Sequence, residues 1–179
     1  IIDLYGADTA RWFMLSDTPP ERDLEWIDAG VVASNKFIKK LWNLAIKTEQ
    51  YKSNSNLEDN NLEIKLNEVI KDVTNNIKIF HFNKSVANIH EYVNFISRLE
   101  SSQKISKKCF ADAVKNLAVI IHPFIPHISE EIWNFMGGRG LCANISWPKI
   151  KIKKTKIKFN IAIQVNGKTR SILEVGDSL

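Results

Sequence analysis

Few residues of this 179-residue chain could do metal or acid–base chemistry, and their spacing forms no complete site. His122 and His127 flank the Pro-Phe-Ile-Pro stretch at 123–126 and are the best-placed candidates for metal ligands. No convincing set of further ligands accompanies them, so ordinary packing and helix capping are the favoured interpretation. Glu130 and Glu131 are expected in the first turn of the next helix, where the helix dipole favours carboxylates.

Other sequence signatures of catalysis are missing as well. No nucleophile–base pair stands out, and no glycine-rich phosphate loop is present. The glycine-rich stretch at 137–140 follows a predicted helix instead of opening one. Cys109 and Cys142 lack metal-ligand spacing and make a poor disulfide framework, which favours a reducing, cytoplasmic setting. We therefore expect no catalytic residue, no metal site and no cofactor in this chain.

A group of lysines in the first third of the chain could bind a polyanion. Lys36, Lys39 and Lys40 have the i, i+3, i+4 spacing that places side chains on one face of a helix. Apolar residues, including Phe37 and Leu41, occupy the opposite face. A basic stripe beside an apolar one can follow an RNA backbone. A solvated helix face is the alternative, and charge alone slightly favours it.

The second basic group lies near the end of the chain. The net charge of +5 is unevenly spread, because residues 1–30 hold seven acidic and two basic residues, whereas 149–170 hold eight basic and no acidic ones. Such a gradient is compatible with a polyanion near the later segments and also with a solvated, lysine-rich surface. The lysines between 149 and 158 could form a self-repelling linker or contact phosphates. Lys168 and Arg170 follow a predicted turn, where exposed side chains can meet a partner.

Hydrophobic periodicity predicts a mainly helical fold. The predicted helices cover 6–16, about 28–48, and stretches within 62–77, 86–99, 110–121 and 128–136. Asp8 could cap the first helix, Pro123 and Pro126 separate the last two, and Gly137-Gly138 could end the final one. Residues 53–61, rich in Ser and Asn, indicate a surface loop. These amphipathic helices should pack as a bundle around a shared core.

After Trp147-Pro148 the pattern changes to strict alternation of apolar and polar residues over 157–165, which indicates a half-buried strand. Asn166-Gly167 predicts a two-residue hairpin turn, with a return strand over 168–175. A lone hairpin is marginally stable, so we expect the start of a second, truncated domain here. No apolar run approaches the roughly 18 residues of a membrane span, and we expect no membrane association.

Three stretches carry a family resemblance over essentially the whole chain. They are Tyr5-Gly6-Ala7-Asp8-Thr9-Ala10-Arg11 with Pro19-Pro20-Glu21-Arg22-Asp23-Leu24-Glu25-Trp26; His122-Pro123-Phe124-Ile125-Pro126-His127-Ile128-Ser129-Glu130-Glu131-Ile132-Trp133 with Trp147-Pro148; and Gln164-Val165-Asn166-Gly167-Lys168-Thr169-Arg170. In this order they resemble the C-terminal part of bacterial leucyl-tRNA synthetases. The second stretch is shared with the valyl and isoleucyl enzymes, whereas the first and third together point to leucine.

The resemblance implies a fold and a set of domains. Residues 1–24 resemble the end of a catalytic domain and its connection, and 25–147 a helical bundle of the class I synthetase anticodon-binding type. Residues 148–179 resemble the start of a small α/β C-terminal domain that contains a β-hairpin. In the family, the helix matching 28–48 supplies basic side chains to tRNA. Lys36 and Lys40 stand where the family commonly has arginines, so the charge is kept without the planar fork.

The function implied is tRNA binding within a ligase that attaches leucine to tRNA with ATP. The expected contacts are Lys36, Lys39, Lys40, Lys168 and Arg170. The ATP-binding signatures of the family are absent, so this chain alone is expected to be inactive and to hold no ATP. Leucine tRNA is the expected partner of a cytoplasmic monomer. Two alternatives stay open: the equivalent part of a valyl or isoleucyl enzyme, and a helical protein-interaction module without RNA affinity.

Overall fold

The computed structural model describes residues 2–17, 22–23, 25–150, 158–165 and 168–176, and for 158–176 it describes the backbone alone. Helices dominate these residues, as the periodicity predicted. The helices are α1 (Ile2–Tyr5), α2 (Ala7–Ser16), α3 (Asp28–Gln50), α4 (Asp59–Lys78), α5 (Phe82–Ser102), α6 (Lys107–Ile121) and α7 (Pro126–Phe135), followed by a single 3₁₀ turn at Cys142–Asn144. No helix in this part of the chain has both the length and the apolar character needed to cross a membrane.

One core joins α2 to α7. Trp12 of α2 is 1% exposed and stacks on Phe37 of α3, with ring centroids 4.8 Å apart. Phe124, from the connection between α6 and α7, meets the same indole edge-on at 6.1 Å. The predicted boundary at residue 24 therefore falls between two segments that share this core, since α2 packs against both α3 and α5. Whether residues 1–24 belong to a catalytic domain stays a prediction.

The predicted loop at 53–61 is shorter in the structure, because α4 already begins at Asp59. The Asp59 carboxylate accepts hydrogen bonds from the backbone N–H of Ser106 at 2.7 Å and from its hydroxyl at 2.6 Å. Ser106 in turn caps α6, where its Oγ accepts from the N–H of Cys109 at 3.2 Å. The contact between the first residues of α4 and α6 thus fixes both helix starts, and no local sequence pattern predicts it.

Asp8 does not cap its own helix, contrary to the sequence prediction. Gly6 is the N-cap of α2, and no side chain accepts a hydrogen bond there. The buried Asp8 carboxylate accepts instead from the N–H of Ile128 at 2.7 Å and lies 2.8 Å from Nδ1 of His127. Asp8 therefore caps the N-terminus of α7, where free N–H groups and the helix dipole favour a carboxylate.

Glu130 also lies outside the position predicted for it, and so does Glu131. Helix α7 begins at Pro126, which occupies its first turn, so both glutamates fall in the second turn. The Glu130 carboxylate accepts from the N–H groups of Cys142 at 2.7 Å and Ala143 at 2.9 Å. It stabilises the start of the 3₁₀ turn, not the start of its own helix.

The predicted stop at Gly137-Gly138 is confirmed. Gly137 has a φ of +69°, the left-handed conformation that glycine tolerates at a helix end. Its N–H donates to the carbonyl of Asn134 at 3.0 Å, and the N–H of Gly138 donates to that of Trp133 at 2.8 Å. This pair of bonds is a Schellman motif, which satisfies the last carbonyls of α7. A Cβ at Gly138 would collide with the Trp133 ring.

The backbone beyond residue 157 forms two antiparallel strands, β1 (Lys158–Val165) and β2 (Lys168–Gly176). The register pairs Lys158 with Gly176 and Val165 with Lys168, and an irregularity follows Ile163. The predicted turn residues Asn166 and Gly167 lie outside the described residues. The assignment of this segment to an α/β domain stays a prediction.

Removing the carboxylate of Asp8 should destabilise the whole bundle. In Asp8→Ala, the N–H groups at the start of α7 lose a buried, charged acceptor. We expect the free energy of unfolding to fall by about 2 kcal/mol, the range for loss of a charge-assisted cap. Urea denaturation followed by circular dichroism measures this change. Asp8→Asn keeps an acceptor oxygen and should lose less; equal losses in both variants would contradict the capping role.

Candidate nucleic-acid interface

Helix α3 is amphipathic, as the spacing of its lysines and apolar residues predicted. Phe37 and Leu41 are buried in the core, at 6% and 1% exposure. Lys36 and Lys39 are exposed on the other side, and Lys40 is half-buried between the two sides. The apolar stripe places the helix against the bundle and leaves the basic stripe facing outward.

Helix α5 lies beside this basic stripe and runs parallel to α3. The rings of Phe37 and His90 are 3.8 Å apart, and Nζ of Lys40 donates to Oδ1 of Asn94 at 2.7 Å. A third contact joins Lys47 to Glu100 near the ends of both helices. The three contacts therefore follow one another in the same direction along α3 and α5. They bound a shallow, open groove, lined by Lys36, Lys39, Lys40, Asn43, Leu44, Lys47 and Ser97.

The lysines of the groove differ in what their ammonium groups contact. Within the described part of the chain, Lys36 and Lys39 have no hydrogen-bond or ion-pair partner. Lys40 is oriented by the neutral Asn94 amide and keeps its net charge. Lys47 forms an ion pair with Glu100, with Nζ and Oε2 2.8 Å apart. Lys47 was not predicted from the sequence, although it stands eleven residues, close to three helical turns, after Lys36.

His90 of α5 packs against Phe37 of α3 in a setting that favours its neutral form. Its Nε2 accepts a hydrogen bond from the indole N–H of Trp12 at 3.3 Å, which requires that nitrogen to be unprotonated. Burial lowers the pKa of His90 below its ordinary 6.5, and the positive charge of Lys40 lowers it further. A neutral His90 avoids placing a second positive charge close to that of Lys40.

The other predicted contacts, Lys168 and Arg170, lie on the hairpin. The backbone of Lys168 pairs with that of Val165, and Arg170 falls at the irregularity of the register. The lysines at 151, 153, 154 and 156 lie outside the described residues. Lys149 is exposed and borders a different groove, which lies between α4 and α6.

Three of the residues that first suggested metal or acid–base chemistry, His122, His127 and Glu130, have structural roles. His122 and His127 pair with different carboxylates, with Nε2 of His122 3.2 Å from Oε1 of Glu130 and His127 beside Asp8. Burial opposes ionisation of Glu130, but the N–H groups at the 3₁₀ turn and then His122 lower its pKa overall. Between residues 2 and 150, the described His, Cys, Asp and Glu side chains form no group of three that could hold a metal ion.

Both cysteines are free thiols with little tendency to ionise. Burial, followed by the negative charge of Asp59, raises the pKa of Cys109 to about 12. Burial likewise raises the pKa of Cys142, whose Sγ accepts from the hydroxyl of Ser129 at 3.4 Å. Since the thiolate is the reactive form, neither side chain is suited to nucleophilic chemistry.

Comparison with known proteins identifies the class to which this architecture belongs. The family model for the anticodon-binding domain of tRNA ligases matches residues 59–179, and the chain belongs to that family. Its sequence is 40% identical over 177 residues to the leucine–tRNA ligase of Ehrlichia ruminantium (strain Welgevonden), covering 94% of this chain and 21% of the relative. It is 41% identical over 175 residues to that of Orientia tsutsugamushi (strain Boryong), covering 96% and 20%.

A solved structure matches in three dimensions. The fold superposes with a TM-score of 0.81 and 26% identity on a chain of the ternary complex LeuRS-tRNA-LeuAMS from Agrobacterium radiobacter K84, covering 99% of this chain and 24% of that one. The resemblance to leucyl-tRNA synthetases is thereby confirmed. The chain spans about a fifth of the length of the leucine–tRNA ligases it matches.

The lowered pKa of His90 has a consequence for stability. As pH falls below about 6.5, the unfolded chain takes up a proton at this position before the folded one does, so the folded state loses stability. In His90→Gln, which keeps a neutral acceptor for Trp12, this part of the pH dependence should disappear. Urea denaturation of both proteins at pH 7.5 and pH 5.5 makes the comparison. An equal decrease in both proteins would show that His90 titrates normally.

Proposed function

We propose that this chain is the tRNA-binding helical part of a leucine–tRNA ligase, whose whole form uses ATP to attach leucine to its tRNA. The supporting observation is an outward-facing groove in which Lys36 and Lys39 have no partner among the described residues, in a fold that superposes on a chain solved with tRNA. The leucine–tRNA ligases of Ehrlichia ruminantium and Orientia tsutsugamushi match 94% and 96% of the chain, which favours leucine over the valine and isoleucine alternatives.

The chemistry of the groove suits a phosphate backbone better than bases. Ammonium groups on flexible stems act as point charges, which attract phosphates without the planar fork that reads a base edge. Neutralising phosphates releases counterions, so the affinity depends strongly on salt and weakly on nucleotide sequence. The chain would therefore supply affinity and orientation, and sequence discrimination would come from elsewhere in the ligase or from tRNA shape.

Catalysis belongs to the rest of the ligase in this proposal. Among the described residues, the carboxylate of Asp8 caps α7 and that of Glu130 caps the 3₁₀ turn, so both have structural roles. We therefore expect no leucine activation and no ATP binding by this chain alone. Residues 148–179 would begin an α/β domain that contacts tRNA through Lys168 and Arg170. The ligase would act in the cytoplasm as a monomer.

Reversing the charge of the two unpaired lysines tests the proposal. Lys36→Glu/Lys39→Glu should weaken binding of leucine tRNA at least tenfold, and the plot of log K against log salt should become shallower by about 2. Filter binding at several salt concentrations between 50 and 200 mM measures both quantities. Valine and isoleucine tRNAs serve as competitors, and equal preference for either would favour the corresponding ligase.

The matched control reverses two exposed lysines on other helices. Lys71→Glu/Lys84→Glu makes the same change in net charge on α4 and at the start of α5. It should affect tRNA affinity much less than the pair on α3. Salt-insensitive or absent binding by the unaltered chain would instead support the helical protein-interaction module.

A further inference from the structure

Helix α3 carries a row of polar side chains, here called the lysine row. Only the first part of this row has positive charges that are not paired with a carboxylate. Lys36, Lys40, Asn43 and Lys47 follow one another at i, i+4, i+7 and i+11, which places them along one helix face. At a rise of about 1.5 Å per residue, the row is about 16 Å long. Among the described residues, the ammonium group of Lys36 has no partner, and that of Lys40 is bonded to an uncharged amide. At the last position of the row, the ammonium group of Lys47 is paired with a carboxylate.

The carboxylate that pairs with Lys47 is well fixed. The Glu100 side chain is only 15% exposed, although the lysine it meets is 52% exposed. The hydroxyl of Ser101 also donates to Oε2 of Glu100, at 3.4 Å. The carboxylate therefore stays beside the groove, and the two partners differ in freedom: Lys47 can leave the pair more easily than Glu100 can move away.

The contrast with Lys40 shows why the partner matters. Lys40 and Lys47 both reach across from α3 to α5, and their donor–acceptor distances are nearly equal, at 2.7 and 2.8 Å. The acceptor of Lys40 is an uncharged amide, so its positive charge remains available to a phosphate. The acceptor of Lys47 is a carboxylate, which cancels that charge and would repel a phosphate approaching the same ammonium group.

We propose that Glu100 masks Lys47 and thereby sets where the phosphate-binding part of the groove ends. This inference rests on the proposed function, since it assumes that tRNA phosphates follow the lysine row. A phosphate can bind Lys47 only by displacing a carboxylate that remains close by, so the two anions compete. Glu100 thus limits how far a polyanion can extend along α3 without specificity. It favours the position of the tRNA backbone in which the phosphates contact Lys36, Lys39 and Lys40.

The test removes the mask without removing the lysine. Glu100→Gln keeps the size and hydrogen-bonding capacity of the side chain but frees the charge of Lys47. We expect tighter tRNA binding at low salt and a plot of log K against log salt that is steeper by about 0.9, the value for one more phosphate contact. The advantage over the unaltered chain should shrink about threefold between 50 and 200 mM salt.

Two further variants show whether the gain passes through Lys47. Lys47→Gln alone should leave the salt dependence unchanged, because a masked lysine contacts no phosphate. Glu100→Gln/Lys47→Gln should return both the affinity and the salt dependence to those of the unaltered chain. Thermal melting of all three variants by circular dichroism confirms that they are folded in the binding experiments.

The control unmasks a lysine elsewhere. Glu68 pairs with Lys65 on α4, with Nζ and Oε2 3.1 Å apart, so Glu68→Gln makes the same change in charge away from the groove. An equal gain from Glu68→Gln would overturn the proposal, because the effect would then be one of net charge. If the unaltered chain binds tRNA but Glu100→Gln has no effect, the masking role alone is wrong. If the unaltered chain does not bind, the proposed function fails as well.

Discussion

The fold depends on a polar contact, here called the joint, that Asp8 and Arg11 of α2 make with the break between α6 and α7. The prolines at 123 and 126 end one helix and begin the next, which leaves carbonyl and N–H groups without partners inside a helix. Arg11 donates from Nε to the carbonyl of Phe124 at 2.7 Å and from Nη2 to that of Pro123 at 2.9 Å. Asp8, one turn earlier on α2, accepts from the N–H of Ile128. Together, Asp8 and Arg11 anchor α2, so that its Trp12 lies in the core. There Trp12 contacts Phe37 of α3 and His90 of α5.

The sequence predicted most of the helices because each buries one face, and burial imposes a period that a single chain displays. It failed where a backbone group was satisfied from far away. Asp8 has the right type and place to cap α2, but its acceptor oxygens serve a helix 120 positions later. Glu130 was misplaced for a related reason, since Pro126 starts α7 early and the carboxylate then caps the following 3₁₀ turn. Local patterns contain no information about such distant partners.

The same limit applies to the basic groove. The spacing of Lys36, Lys39 and Lys40 predicted an exposed face, and that face is present. Which ammonium groups are free was not predictable, because it depends on Asn94 and Glu100, more than fifty positions away on α5. Charge counting treats all four lysines of the groove as equivalent, whereas among the described residues Lys36 and Lys39 have no partner, Lys40 is bonded to an amide and Lys47 is ion-paired. The tRNA contacts assigned to Lys168 and Arg170 remain predictions from the resemblance.

The joint at the helix break has an asymmetry that bears on mutational tolerance. Asp8 and Arg11 contribute side chains, but the groups they bind on the other side include the backbone atoms of Pro123, Phe124 and Ile128. Every residue type except proline has the same backbone N–H group, so a substitution at Ile128 that preserves packing and does not introduce proline leaves its hydrogen bond intact. Two side chains on α2 therefore bear most of the chemical specificity of the contact that joins α2 to the break between α6 and α7.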